Sequence, residues 1–150
     1  MNRYGAKLAA NRGDLRTMAY ILDKAPNRIR ALEIAREGIL EAIDYFNLSV
    51  SDLNIYSGTG SKKTTAFIEA AKHLQVETLK RFIAISEGVF IRGPLSPNPP
   101  NTTIEKARQR FIILDEGDLV KIFKFADLRT VKTILKLGLS LSHNTSNTKL

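Results

Sequence analysis

One nine-residue pattern recurs along this chain and limits the folds that the chain can adopt. Residues 14–22 and 127–135 both begin with Asp-Leu-Arg-Thr and both end with Ile-Leu, 113 residues apart. Residues 75–83 repeat the pattern, with a polar opening residue and apolar residues at the second, fifth, eighth and ninth positions. This spacing places the apolar residues on one face of a helix. A repeated helix face predicts a stack of similar helical units.

A second short helical pattern precedes each copy. These patterns cover residues 6–12, 66–73 and 119–125, and residues 31–46 form a further pair of the same kind. Short helices are only marginally stable alone in water, so they must pack on one another. The sequence therefore predicts an all-α fold of about four stacked helical hairpins. Two short β-rich runs, residues 89–91 and 111–114, could be strands or the ends of helices.

At these residues the chain resembles ankyrin repeats. Residues 5–22 have the family's apolar first helix with paired alanines, its glycine turn and its second helix ending in aliphatic residues, and residues 65–83 match throughout. Leu74 and Ala126 stand where the family has a turn glycine, and the family's Thr-Pro-Leu-His is nowhere intact. The resemblance implies an ankyrin-like short solenoid with an irregular central insertion. Another helical-hairpin solenoid and an unrelated helical bundle are the alternatives.

The length of the chain and its proline distribution predict the domain organisation. A chain of 150 residues suits one domain. Four of its five prolines lie within residues 94–100, where they exclude helix and central strand. We therefore expect a single repeat domain over residues 1–141 with a loop insertion at about 92–102, followed by a flexible tail at 142–150.

Composition excludes several classes of site. The chain has no cysteine and only two histidines, His73 and His143, which rules out a disulfide framework, a thiolate zinc site and a histidine-rich metal site. No run of about 18 apolar residues is present, and the N-terminus lacks the apolar core of a signal peptide. We expect a cytoplasmic protein that binds no membrane, no metal and no cofactor.

Motifs that would indicate catalysis are weak. The glycine-containing loop at residues 57–65 lacks the consecutive Gly-Lys-Ser/Thr of a phosphate-binding loop. Asp115, Glu116 and Asp118 cluster in a predicted turn, and such clusters are typical of solvated loops. The sequence therefore predicts a protein that is not an enzyme.

Charge and the ankyrin resemblance together predict a binding function. The chain has 23 Lys and Arg against 15 Asp and Glu, a net charge of +8. The resemblance implies that the first helices line a concave wall that binds another protein, and a mostly basic wall favours an acidic partner. The residues that line or border this wall by that resemblance are Lys7, Asn11, Arg12, Arg36, Glu37, Lys72, His73, Lys121 and Lys124.

A nucleic-acid-binding regulatory protein is the alternative function. Residues 66–83 can be read as a helix-turn-helix whose second helix directs Lys80 and Arg81 to phosphates. The residues that would face base edges are Gln75, Glu77 and Thr78. The turn is short for this motif, and five residues after Val76 comes Arg81 instead of a second core residue. Nucleic acid is therefore the second candidate partner.

Overall fold

The structure is a computed structural model that describes residues 20–93 and 102–139. Most of the first predicted helix pair, much of the loop insertion and the predicted tail at 142–150 lie outside the described residues. The described part is mostly helical, which confirms the prediction of a largely helical fold. Residues 20–23 are helical and lead into the first complete helix.

The elements follow one another with short connections. The helices are α1 (Asn27–Glu37), α2 (Leu40–Tyr45), α3 (Val50–Leu53), α4 (Ala66–Lys72), α5 (Val76–Ile85), α6 (Ile104–Ala107), α7 (Glu116–Phe125) and α8 (Leu128–Thr133). A 3₁₀ turn spans Gly60–Lys62, and a π-helix, Ile134–Leu139, continues α8. The two strands are β1 (Val89–Ile91) and β2 (Ile112–Leu114).

The helices of successive pairs contact one another in chain order. The first helices do so through α1 against α4 and α4 against α7, and the second helices through α2 against α5 and α5 against α8. Buried apolar side chains fill the space between these helices, among them Ile34, Phe67, Leu79 and Phe82. The helices that the periodicity predicts within residues 31–46, 66–83 and 119–135 are thus present as α1 and α2, α4 and α5, and α7 and α8.

The two β-rich runs are strands. β1 and β2 pair in parallel, with Val89 opposite Ile112 and Ile91 opposite Leu114. This pair is the exception to the all-α prediction within the described ranges. Pairing satisfies the backbone groups of apolar residues that are too few to form a helix of their own, and it buries Val89 and Ile112 completely.

Asn54 holds β2 from the side opposite β1. Its side-chain Nδ2 donates to the carbonyls of Arg108 and Phe111 at 2.9 and 2.8 Å, and its Oδ1 accepts from the backbone N–H of Ile113 at 2.9 Å. One buried amide therefore satisfies three backbone groups around a strand that has a neighbouring strand on one side only. These three hydrogen bonds fix the position of β2, and therefore the start of α7, which follows β2 in the chain.

The turns between paired helices differ in a way that the sequence only partly predicts. Gly38 ends α1 in the left-handed conformation with φ 67°, and a Cβ there would clash with Oε1 of Gln75. Leu74 adopts the same conformation with φ 59°, although it is not glycine. Ala126 is extended, with φ −84° and ψ 150°. The connection between α7 and α8 therefore lacks the left-handed turn. α7 packs more extensively on α4, and α8 on α5, than α7 and α8 pack on each other.

The recurring apolar face is not equally buried in each copy. Val76 and Ile83 in α5 are 7% and 2% exposed, whereas their counterparts Leu128 and Leu135 are 69% and 44% exposed. The expectation of one equivalent buried face is thus wrong for the last copy, where Ile134, the counterpart of the buried Phe82, lies in the core but Leu128 and Leu135 do not. The cause lies in the neighbours: α5 packs against α2, α3, α4, α8 and the π-helix, whereas within the described residues α8 packs mainly on α5 and the π-helix.

Replacing Leu74 by glycine is expected to stabilise the protein. A left-handed leucine costs about 1–2 kcal/mol, while glycine in the unfolded chain costs about 0.5–1 kcal/mol in entropy. We therefore expect Leu74→Gly to raise the free energy of unfolding by about 0.5–1 kcal/mol in urea titrations monitored by circular dichroism. Leu74→Ala retains the strained Cβ and serves as the control, which should show no gain. Equal stability of the two variants would contradict the strain argument.

Candidate functional site

A network of charged side chains lies between α1 and α4. Arg36 of α1 donates through Nε to Oε1 of Glu69 in α4 at 2.7 Å, and through Nη1 to Oε1 of Glu33 at 3.1 Å. Glu33 and Glu69 are 2% and 4% exposed, so both carboxylates are buried. Oε2 of Glu69 accepts from the Thr64 hydroxyl at 3.1 Å and lies 3.4 Å from Nζ of Lys72. The two helices are thus joined by polar contacts as well as by their apolar faces.

The pKa of Glu69 reflects two opposing effects. Burial alone would raise the pKa, because it disfavours the charged carboxylate. The hydrogen bond and charge of Arg36, together with Lys72 and Thr64, outweigh burial and hold the pKa of Glu69 below its ordinary value of 4.5. Glu69 is therefore ionised at neutral pH, and its charge is balanced by Arg36 and Lys72.

This network changes the role of one predicted wall residue. Arg36 was expected to line a partner-binding wall, but its guanidinium is occupied by two buried carboxylates. Glu37, the next predicted wall residue, is partly buried at the last position of α1. Arg36 therefore stabilises the scaffold and contributes no free positive charge to a partner.

Lysines from α4, from α7 and from the loop before α4 form a surface beside the network. Nζ of Lys72 and Nζ of Lys124 lie 4.9 and 5.5 Å from the ring centroid of Phe125, which is 51% exposed. Nζ of Lys121 donates to the carbonyl of Lys63, so α7 is also tied to the loop before α4. We call Lys63, Lys72, Lys121 and Lys124 the lysine surface. It brings together three of the predicted wall residues, Lys72, Lys121 and Lys124.

The remaining predicted wall residues lie elsewhere. His73 is exposed at the C-terminal end of α4, next to Lys72, and its backbone N–H donates to the carbonyl of Glu69 at 3.0 Å. Lys7, Asn11 and Arg12 lie outside the described residues. The structure therefore places His73 at the edge of the lysine surface.

Sequence reasoning missed the buried acids and Phe125. A signal for the acids is present, because Glu33-Ile-Ala-Arg36 and Glu69-Ala-Ala-Lys72 place an acid and a base three residues apart in two first helices. Side chains three apart lie on one helix face, so each motif predicts a local ion pair. The cross-helix pair between Arg36 and Glu69 needs the packing of α1 on α4, which the motif does not specify.

A second polar cluster lies at the start of α7. The Tyr56 hydroxyl donates to Oδ2 of Asp118 at 2.6 Å, and burial, as the main cause, raises the pKa of both groups. Asp118 also accepts from the backbone N–H of Asp115 at 3.0 Å, which completes a capping box for α7. An adjoining cavity of about 20 Å³ has room for one water molecule, and Tyr56 also lines a cavity of about 430 Å³ that is open to solvent. This cluster therefore has a structural role in starting α7.

Other kinds of site were sought in the same region of the chain. In residues 20–93 and 102–139, no group of three or more His, Asp or Glu side chains is arranged to hold a metal ion. No helix within those ranges has both the length and the apolar composition that crossing a membrane requires. The lysine surface is the candidate functional site because it places cations of α4 and α7 beside an exposed aromatic ring.

Removing Arg36 is expected to destabilise the protein in a pH-dependent way. Arg36→Met leaves Glu69 buried without its main partner, which should cost about 3–5 kcal/mol at pH 7. In the wild type, the contribution of Glu69 to stability is present above its ordinary pKa of 4.5 and is lost as the pH falls through its lowered pKa. In the variant, burial dominates and favours the protonated acid, so the stability deficit should shrink as the pH falls from 7 towards 4.5.

Urea denaturation between pH 4.5 and pH 7 measures this difference. The matched control is Arg81→Met, which breaks an ion pair with Asp44 between two exposed side chains and should cost less than about 1 kcal/mol. Equal losses in the two variants, or a deficit in Arg36→Met that stays constant with pH, would contradict the proposed role of the network.

Comparison with known proteins does not assign this chain to a family. The chain matches no protein-family model, no curated protein and no solved structure. The contacts and charges of its own residues therefore carry the information on its function. The lysine surface and the network beside it are the features that concern binding.

Proposed function

We propose that this chain is a non-catalytic protein-interaction module that binds an acidic partner protein through the lysine surface. The observation that supports this function is the arrangement around Phe125, whose exposed ring has Lys72 of α4 and Lys124 of α7 within 4.9 and 5.5 Å of its centroid. An exposed aromatic side chain surrounded by cations offers apolar contact and charge attraction at one place. A partner with Asp or Glu beside an apolar side chain complements it.

The scaffold of this module is an ankyrin-like stack of helix pairs. Two observations support that assignment, which was first suggested by the sequence resemblance. The first and second helices of α1–α2, α4–α5 and α7–α8 contact their counterparts in chain order. In addition, Gly38 and Leu74, at the positions of the family's turn glycine, both have the left-handed backbone that such a turn requires. A stack of this kind presents side chains from successive first helices on one rigid surface.

The charge balance of this surface favours an acidic partner. Glu69 lies 3.4 Å from Lys72, but it shares its charge with Arg36 and also accepts from Thr64, so it neutralises Lys72 only in part. Lys124 and Lys121 lie three residues apart on α7 and extend the cationic surface along that helix. Because the surface is positive, it attracts acidic proteins during diffusion and disfavours basic ones.

The structure does not favour the nucleic-acid alternative centred on residues 66–83. Thr78 is 1% exposed, so it cannot reach a base edge. The side chain of Gln75 donates to the carbonyl of Arg36 at 2.9 Å, and Arg81 is paired with Asp44. The second helix of that motif must present its side chains to the major groove, whereas α5 is packed among α2, α4 and α8.

Peptide selection tests the proposed function. A random peptide library displayed on phage and selected on the immobilised chain is expected to yield peptides enriched in Asp and Glu. The triple variant Lys72→Gln, Lys121→Gln and Lys124→Gln should bind those peptides about tenfold more weakly, because tenfold corresponds to about 1.4 kcal/mol and three interfacial charges are lost. Fluorescence anisotropy with the individual labelled peptides gives the affinities.

The matched control removes the same amount of charge at distant positions. Three exposed lysines outside the lysine surface are suitable: Lys24, Lys80 and Lys106. The triple variant Lys24→Gln, Lys80→Gln and Lys106→Gln should keep its affinity for the peptides. Circular dichroism checks that both variants remain helical. Selected peptides without an excess of acids, or equal losses in both triple variants, would overturn the proposal.

A further inference from the structure

The outer face of α8 and the π-helix is both apolar and cationic. Leu128 and Leu135 are exposed large apolar side chains, and they lie seven residues apart along these continuous helical turns. Arg129, Lys132 and Lys136 are exposed between and beside them. We call these five residues the α8 face. An open groove runs along it, lined by Leu128, Arg129, Lys132, Thr133 and Lys136.

This face corresponds to one that is covered elsewhere in the same molecule. Val76 and Ile83 occupy the matching positions of α5 and are buried, because α5 packs among α2, α4, α8 and the π-helix. Leu128 and Leu135 keep the apolar character of those positions and are exposed. The last pair therefore presents the kind of surface that packs against another helix within the stack.

Charge identifies what can cover the α8 face. Residues 128–137 include three basic side chains and no acidic one. A second copy docked through the same face would bring these cations together, which opposes self-association. Residues 140–150 contain no Asp or Glu, so this segment of the chain offers no complementary charge either. The occupant that complements the face is an acidic segment from another protein.

The spacing of the apolar residues identifies the form of that segment. Side chains seven residues apart recur on one face of a helix, and grooves of this kind bind amphipathic helices through such anchors. Leu128, which lines the groove, and the exposed Leu135 offer contact to individual side chains and not the broad apolar face that a bilayer-binding helix needs. A helix is therefore favoured over a lipid surface.

We propose that the α8 face docks an acidic amphipathic helix of a partner protein. Its apolar side chains pack on Leu128 and Leu135, and its flanking Asp and Glu pair with Arg129, Lys132 and Lys136. This surface differs in residues from the lysine surface, so it can be tested whether or not the lysine surface binds a partner.

A designed peptide tests this proposal. The probe is a fluorescein-labelled helix of about 20 residues with leucines at heptad spacing and glutamates beside them. A scrambled peptide of identical composition lacks the apolar stripe. Anisotropy titrations with the full chain should show saturable binding of the designed peptide and binding of the scrambled peptide at least about tenfold weaker. No saturation by the designed peptide up to about 1 mM, or equal binding of both peptides, overturns the proposal.

Two variants of the α8 face are expected to bind the designed peptide with lower affinity. Leu128→Ser with Leu135→Ser should weaken binding about tenfold or more, and Arg129→Gln, Lys132→Gln and Lys136→Gln together should do the same at low salt. The matched control, Tyr45→Ser with Ile55→Ser, removes two other exposed apolar side chains and should have no effect. The lysine-surface triple variant should also bind normally. Losses that are equal in the control and the α8-face variants contradict the proposal.

Three further measurements distinguish other occupants. Co-sedimentation with vesicles of phosphatidylserine and phosphatidylcholine, lost in the Leu128→Ser and Leu135→Ser variant while peptide binding persists, would identify a membrane surface instead. Dimers in sedimentation equilibrium that disappear in the same variant would identify a second copy. Peptide affinity that rises about tenfold on deletion of residues 140–150 would identify that segment as the occupant. Each of these results overturns the proposal, and their absence together with the variant losses supports it.

Discussion

The ion pair between Arg36 and Glu69 is the contact on which the described arrangement depends. Two buried carboxylates on adjacent helices would separate α1 from α4 unless a cation lay between them, and Arg36 supplies that cation with a guanidinium that reaches both. Because the two bonds need a defined geometry, they set the register of α1 on α4 as well as holding the helices together. α7 also packs on α4, and Lys72 and Lys124 both lie against the ring of Phe125 there.

Arg36 and the lysines of the lysine surface differ in position. Arg36 is inside, where a planar group with several donors can satisfy more than one carboxylate, while Lys72, Lys121 and Lys124 surround the exposed side of the same helices. A lysine at position 36 would bring one compact charge to a place where two acids need partners. The ankyrin resemblance assigned Arg36 to the binding wall from its place in the repeat, and that place does not reveal that its guanidinium contacts two buried carboxylates.

Much of the helical organisation was predictable because it is encoded locally. The apolar spacing that defines α4 and α5, the Asp127 cap of α8 and the breaks between pairs are read within a few residues. The sequence left the two β-rich runs undecided between strands and helix ends, since three-residue runs such as 112–114 acquire their structure from pairing with β1 and from Asn54. The candidate site was predictable in part: Lys72, Lys121 and Lys124 follow from the repeat resemblance. Lys63 and Phe125 were assigned no role, and the exposure of Phe125 depends on how α7 packs.

The unequal burial of α5 and α8 shows that neighbouring helices determine whether a repeated apolar face is buried. Both helices have apolar residues at matching positions, yet only those of α5 are covered. An uncovered apolar face favours aggregation unless charge opposes it. Arg129, Lys132 and Lys136 supply that charge around Leu128 and Leu135, and all of it is positive. The cations that keep identical copies apart therefore also select the sign of any partner that covers the leucines, so solubility and recognition are consequences of one arrangement.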